Sequence, residues 1–156
     1  MNIKKTKILF FLFAAFLIYS CSERDPIKPA EDTLLFEMPG LVDSAVVYGC
    51  YSQTIRYFVP DTLMLNNYSK VKIDFDGYAN SDGTITFVYL KTESSQNIEV
   101  YRVENISGIN RLHSFEANKP DNTTTVEVRL YINPPICGQN EFKYNRVRDL
   151  RIYGVK

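Results

Sequence analysis

Two short stretches of this chain repeat one chemical pattern. EVRLY at Glu127–Tyr131 and DLRIY at Asp149–Tyr153 each run acid, aliphatic, Arg, aliphatic, Tyr. In extended backbone alternate side chains share a face. Glu127, Arg129 and Tyr131 therefore line one side of a strand, as do Asp149, Arg151 and Tyr153, with Leu130 and Ile152 turned inward. If both strands lie in one sheet, Arg129, Tyr131, Arg151 and Tyr153 form a common surface. Planar guanidinium forks and phenol rings give directional hydrogen bonds and a flat apolar area, which suits a glycan or a peptide. The same residues equally make a solvated face of ion pairs and snorkelling rings.

Other constellations carry less chemistry. DFDGYANSDG gathers Asp74, Asp76, Asn80 and Asp82, hard oxygen ligands with glycines for tight turning, as a calcium site requires. It lacks the ligand spacing and bidentate Glu of an EF-hand, and NSDG also serves as a hairpin turn. ICGQNEF places Gln139, Asn140 and Glu141 beside Cys137, where a rigid loop would aim planar amides at hydroxyl groups, or would simply be an exposed turn. The only histidine is His113, in the apolar setting RLHSF, which favours a structural role. Neither a nucleophile elbow, nor a zinc-protease motif, nor a phosphate-cradling glycine loop is present. The chain reads as a non-enzyme without a resident cofactor, calcium being the one candidate ion.

The elements that position these residues follow a period of two. VKIDF sets Val71, Ile73 and Phe75 against Lys72 and Asp74, and TVEVRLYI sets Val126, Val128, Leu130 and Ile132 against Glu127, Arg129 and Tyr131. SAVVYGCY, TIRYFV, TITFVYL, NIEVYRV and RDLRIYGV are further strand candidates, separated by NSDG, ESSQN, NKPDN and NPPICGQN. No window argues for a long helix. The expectation is an all-β, antiparallel β-sandwich of seven or eight strands.

Composition sets outer limits. The 156 residues carry 18 basic and 18 acidic side chains, which gives no electrostatic reason to bind nucleic acid. With 45% hydrophobic residues, 11 Tyr and 10 Phe, the chain is too apolar to remain disordered.

The amino terminus explains part of that apolar content. MNIKKTK is basic, and ILFFLFAAFLIYS, Ile8–Ser20, is an apolar run shorter than the ~20 residues of a membrane-spanning helix. It ends in IYSC, and this resembles the lipobox at which bacterial lipoproteins are cleaved and acylated. The resemblance implies a signal peptide at 1–20, a lipid on Cys21, and a cell-envelope location at a membrane, either periplasmic or surface-exposed. SERDPIKPAED, with Pro26, Pro29 and alternating charge, reads as a tether, assigned to 21–38, leaving 39–156 for the sandwich. Ser22 and Glu23 are similar to the surface-export signals of Bacteroidetes lipoproteins. The triplets beginning at Asp32, Asp43 and Asp61 resemble the O-glycosylation sequon of that phylum.

With Cys21 acylated, Cys50 and Cys137 remain in an oxidising compartment. They read as a disulfide or as two buried thiols. A bridge would close a long loop, which the chain-entropy argument values at about 4 to 5 kcal/mol as an upper figure. Finally, the Lys-rich strand ending DFDGYA, the hairpin expected at SDG and the closing VRDLRIYGVK are similar to the jelly-roll modules of galactose-binding-like and carbohydrate-binding type. That resemblance implies a binding module whose partner is a glycan. An envelope protein is the other partner the sequence admits, for a structural or assembly lipoprotein.

Overall fold

The alternation of apolar and polar residues becomes eight strands in the computed structural model, which describes residues 32–60, 63–133 and 142–156. They are β1 (Thr33–Tyr48), β2 (Gln53–Phe58), β3 (Lys70–Ala79), β4 (Thr84–Thr92), β5 (Asn97–Glu104), β6 (Arg111–Asn118), β7 (Thr123–Ile132) and β8 (Phe142–Val155). Among the described residues a single 3-10 turn, Leu65–Asn67, interrupts them. The strands form two four-stranded sheets, β1-β8-β3-β6 and β2-β7-β4-β5. Every strand pairing within them is antiparallel. This is an antiparallel β-sandwich in jelly-roll order, with the first strand hydrogen-bonded to the last.

The core lies between the sheets. Val71, Ile73 and Phe75 of β3 and Leu150 and Ile152 of β8 are fully buried, as are Val88 and Leu90 of β4 and Val126, Val128, Leu130 and Ile132 of β7. Truncating one of these, such as Leu130, would cost roughly 2–5 kcal/mol, because the sandwich cannot close over the missing volume. At one end a polar tie replaces apolar packing. Asn145 of β8 donates from Nδ2 to the Ile85 carbonyl of β4 at 3.2 Å, crossing from one sheet to the other. Its Oδ1 accepts from Asn105 Nδ2 at 3.0 Å, and the same Asn105 nitrogen lies 3.1 Å from Thr86 Oγ1. Buried amides this well satisfied fix the relative placement of the sheets.

Four features depart from expectation. First, β1 begins at Thr33, inside the stretch read as tether at 21–38, so the sandwich starts ahead of residue 39. Met38, Pro39 and Gly40 carry a turn-like signature, yet they form an irregularity within an edge strand, with the register shifting between Met38 and Leu41. An edge strand tolerates proline because one side of its backbone needs no partner. Gly40 takes φ +79° and Asp149 takes φ 51° on the facing strand. The Gly40 N–H donates to Asp149 Oδ1 at 2.7 Å, which locks the irregularity. Second, RLHSFEAN forms β6, a strand not among the candidates. It is an edge strand of its sheet, opposite β1, and its exposed Leu112 and Glu116 blur the alternation. Third, the SDG turn is not a hairpin. β3 and β4 belong to different sheets, so the turn carries the chain across the sandwich. Fourth, β7 and β8 also lie in different sheets, which decides the fate of the repeated motif.

Candidate functional site

The two Arg–Tyr sets do not share a surface. Arg129 and Tyr131 stand on the outer face of β2-β7-β4-β5, whereas Arg151 and Tyr153 stand on the outer face of the opposite sheet. The four-residue platform is therefore split across the sandwich, and each half has to be judged by its own neighbours.

The β8 half is an ion-paired solvent face. Arg151 donates from Nε to Glu37 Oε1 at 2.8 Å, and this hydrogen bond, followed by the Glu37 charge, raises the Arg151 pKa further. Lys72 Nζ sits 2.8 Å from Asp32 Oδ2 and 5.2 Å from the Tyr153 ring centroid. The Asp32 hydrogen bond is likewise the main cause of its raised pKa. Asp149 does not join that face. It is the extra residue of an irregular stretch and caps the Gly40 N–H, so the acids of the two motifs do different work.

The β7 half builds something else. Glu127, on the outer face, is only 1% exposed, and Arg129 lies against it with Nη2 2.8 Å from Oε1. Arg129 Nε donates to the same oxygen at 2.9 Å, and Arg56 Nε from β2 approaches it to 3.8 Å. A buried carboxylate demands such partners, and here it holds two like-charged side chains in adjacent strands. Arg129 is thereby laid over Tyr89 of β4, its guanidinium carbon 4.3 Å from the ring centroid, well within cation–π range. Tyr89 stacks on Phe87 at 5.9 Å with 29° between the planes, and Arg102 lies 5.4 Å from the Phe87 centroid. Lys91 covers the exposed Phe58 of β2 at 4.6 Å. Burial raises the Tyr89 pKa against the opposing pull of Arg129, so the phenol stays protonated and donates to Glu99 Oε2 at 3.3 Å. The result is a set of rings and planar cations spread over all four strands of the sheet, with the Glu99 carboxylate at its rim.

The remaining sequence candidates are dispersed. Cys21, Cys137, Gln139 and Asn140 lie outside the described residues. Asp74 and Asp76 stand on the outer face of β3, with Asp74 Oδ1 accepting from Ser114 at 2.6 Å, while Asp82 lies in the crossing turn. Among the described residues no three His, Cys, Asp or Glu side chains are disposed to hold a metal, so the calcium set is not assembled there. Asn80 serves structure instead. Its Nδ2 donates to the Phe142 carbonyl at 2.9 Å and its Oδ1 accepts the Tyr144 N–H at 2.6 Å, prolonging the β3–β8 ladder. His113 is buried, stacked on Phe75 at 4.8 Å with Nδ1 3.0 Å from the Tyr101 hydroxyl. Desolvation, then Arg111, lowers its pKa against an upward pull from Asp76.

Phe58, Phe87 and Tyr89, with Arg56, Lys91, Glu99 and Arg102, were contributors that sequence reasoning missed. Their strands were legible, but which strands flank β7 was not, and TITFVYL gives no reason to single out its outward rings.

No protein-family profile matches the chain, and no curated protein matches it. Solved structures do resemble its fold. One comprises the carbohydrate-binding module and catalytic module of a Clostridium thermocellum endo-1,4-β-D-xylanase with xylohexaose. It is 9% identical, with a TM-score of 0.52 over 81% of this chain and 29% of that one. The VP2 protein of infectious bursal disease virus is 10% identical, with a TM-score of 0.50 over 85% of this chain and 35% of that one. The ligand-free carbohydrate-binding module of BiXyn10A, 10% identical, gives 0.49 over 78% of this chain and 99% of that one. At such identities the likeness establishes the jelly roll alone. A viral VP2 protein sharing the architecture with modules of a xylanase makes the point that function must be argued from the site.

Proposed function

We propose that this chain is a lipid-anchored, extracytoplasmic binding module without catalytic activity, and that its ligand is a glycan held on the outer face of β2-β7-β4-β5. One observation carries the reading: the buried Glu127 holds Arg129 over the Tyr89 ring, beside Phe87. A sugar ring offers an apolar face and a rim of hydroxyls. Preset rings and guanidinium planes meet the first, and Arg56, Arg102 and Glu99 meet the second, with little side-chain ordering left to do on binding. The anchor is supported by the basic, apolar and IYSC segments that end at Cys21.

The disulfide between Cys50 and Cys137 belongs to the same proposal. Tyr48 is in register with Phe142, so Cys50 follows one strand of that pair by two residues and Cys137 precedes the other by five. Five residues of chain span up to roughly 17 Å, ample for the bridge to form.

Affinity electrophoresis of residues 31–156 through gels containing single polysaccharides tests the reading, with Arg129→Ala and Tyr89→Ala as variants. Retardation that weakens in both variants is the expected result. Migration unaffected by every polymer, from a folded sample, would remove the glycan.

A second reading, an assembly lipoprotein of the envelope, has its own observation. On the opposite sheet Tyr48, 71% exposed, packs 5.1 Å from the exposed Phe142, with Val46 and Tyr51 also in solvent. Exposed aromatic clusters of this kind favour protein contact. Stable co-purification with one envelope protein, abolished by Tyr48→Ser, would establish it.

A further inference from the structure

Each sheet has two edge strands, and three of these four edges are blunted against pairing with another chain. β1 contains Pro39 and three register shifts, and its Val46 N–H is already taken by Gln53 Oε1 at 2.8 Å. β2 has only six residues and is closely followed by Pro60. β5 is irregular opposite Val88 and Tyr89 and carries Glu99, Arg102 and Glu104. β6 has none of these devices. Its eight residues include neither proline nor lysine and pair with β3 in unbroken register, from Lys70 with Asn118 to Gly77 with Arg111.

The ladder shows which backbone groups of β6 are open. On the β6 side, the Ala79 carbonyl of β3 accepts the Gly108 N–H at 2.7 Å, whereas the next residue, Asn80, donates its N–H to the Tyr144 carbonyl of β8 at 3.1 Å. Successive residues of a strand bond to opposite neighbours. Odd-numbered residues of β3 therefore bond toward β6, where the register gives them His113, Phe115 and Ala117. The Lys119 N–H, donated to the Ser69 carbonyl at 2.9 Å, continues the same set. The N–H and C=O of Leu112, Ser114 and Glu116 are thus turned outward, away from the sheet. Beneath them the edge is firm, because Tyr101 of β5 stacks on Phe115 at 4.1 Å and its hydroxyl lies 3.0 Å from His113 Nδ1.

We infer that β6 is a dimerisation edge, and that its occupant is the β6 strand of a second copy of this chain, laid antiparallel about a two-fold axis at Ser114. That register opposes Ser114 to Ser114 and Leu112 to Glu116, so that each outward N–H meets an outward C=O. Leu112, 69% exposed in one copy alone, is then covered by the aliphatic stem of the facing Glu116. Charge favours a copy running antiparallel. Arg111 and Glu116 stand toward opposite ends of the strand, so antiparallel self-pairing sets unlike charges side by side, whereas parallel pairing would set like against like. A peptide guest would instead need pockets for its alternate side chains, and the hollow beside the strand, between Asn105, Ile109, Arg111 and His113, measures about 10 Å³, room for one water. The axis is normal to the sheet, so the outer faces of β2-β7-β4-β5 in the two copies look the same way and meet a polymeric ligand together. The edge itself does not depend on what those faces bind.

Sedimentation equilibrium of the full chain in density-matched detergent, with micelles in excess, tests the inference together with amide exchange by NMR. The expected result is a reversible dimer in which the Leu112, Ser114 and Glu116 amides are protected at high concentration and exposed on dilution, while Phe115 and Ala117 stay protected throughout. Leu112→Glu sets like charges opposite each other on both sides of the axis and should weaken the dimer about tenfold or more, whereas Leu112→Lys meets the facing Glu116 and should hold it within about threefold. Leu112 is exposed, so both variants keep the monomer folded. A chain that stays monomeric up to about 0.5 mM overturns the inference. A dimer weakened equally by both variants, or lost in Tyr48→Ser, places the contact elsewhere and overturns it as well. Protection of these amides only after an envelope extract is added would overturn it in favour of a strand from another protein.

Discussion

If Glu127 is what holds the sheet face together, removing its two sides should have unequal consequences. Arg129→Met leaves a carboxylate that is 1% exposed with only Arg56 nearby, at 3.8 Å on a side chain that is 55% exposed. Breaking a buried pair from one side costs about 3–5 kcal/mol, and Arg56 should recover part of it, leaving about 2–4 kcal/mol. Glu127→Gln is milder. The amide oxygen can still accept from Arg129 Nε, and the guanidinium, 18% exposed, can recruit water. About 1–2 kcal/mol is expected there. The double variant Glu127→Gln with Arg129→Met removes both charges and should be more stable than Arg129→Met alone, with a coupling energy of about 2 kcal/mol.

Urea unfolding of residues 31–156 followed by far-ultraviolet circular dichroism measures all three, since the chain has no Trp to report by fluorescence. The ordering decides the matter. An Arg129→Met variant no less stable than Glu127→Gln, or strictly additive effects in the double variant, would show that the carboxylate is not held by Arg129. The preset face would then lose its physical basis.

Three further outcomes are expected. Because burial lowers the His113 pKa from its ordinary value near 6.5, the unfolded chain takes up a proton that the folded chain refuses. That stability is fully present above the ordinary value and is lost progressively as pH falls toward the lowered one, and His113→Gln should flatten this slope in pH-dependent urea titrations. Gly154→Ala should destabilise by about 1–3 kcal/mol, because a Cβ there would lie 2.5 Å from the Tyr68 ring; thermal unfolding should show most of the loss restored in Gly154→Ala with Tyr68→Ala. Asn145→Leu should cost about 2–4 kcal/mol by leaving the Asn105 amide and the Ile85 carbonyl short of a partner, and denaturant midpoints at unchanged slope would measure it.

Much of the fold was legible because burial in a sandwich leaves its period in the sequence. Val71, Ile73 and Phe75, and Val126 through Ile132 at every second position, all point into the core as their alternation requires. Legibility failed where local chemistry has two uses. Met38-Pro39-Gly40 is as good an irregular edge strand as it is a turn, and only pairing with β8 chooses between them. The SDG turn reverses the chain equally well within a sheet or between sheets. β6 stayed hidden because half of its residues face solvent on an outermost strand, where the period carries the least information.

The repeated motif shows why a site is harder to read than a strand. Within each strand the motif determines which side chains share a face, but the chemistry of that face comes from strands far away in sequence. On β7, Glu127 lies in register between Phe58 and Tyr89, and Arg129 between Arg56 and Phe87. On β8, Arg151 lies between Glu37 and Asp74, and Tyr153 between Leu34 and Lys72. The arginine of the motif thus lies over a ring and against a buried carboxylate in one sheet, and is ion-paired in solvent in the other. Exchanging the neighbours, by placing aromatic residues at Glu37 and Asp74, should turn the β8 face toward the character of the β7 face, while leaving the motif itself unchanged. The character of each face is therefore specified by the order of strands in the jelly roll as much as by the residues that repeat.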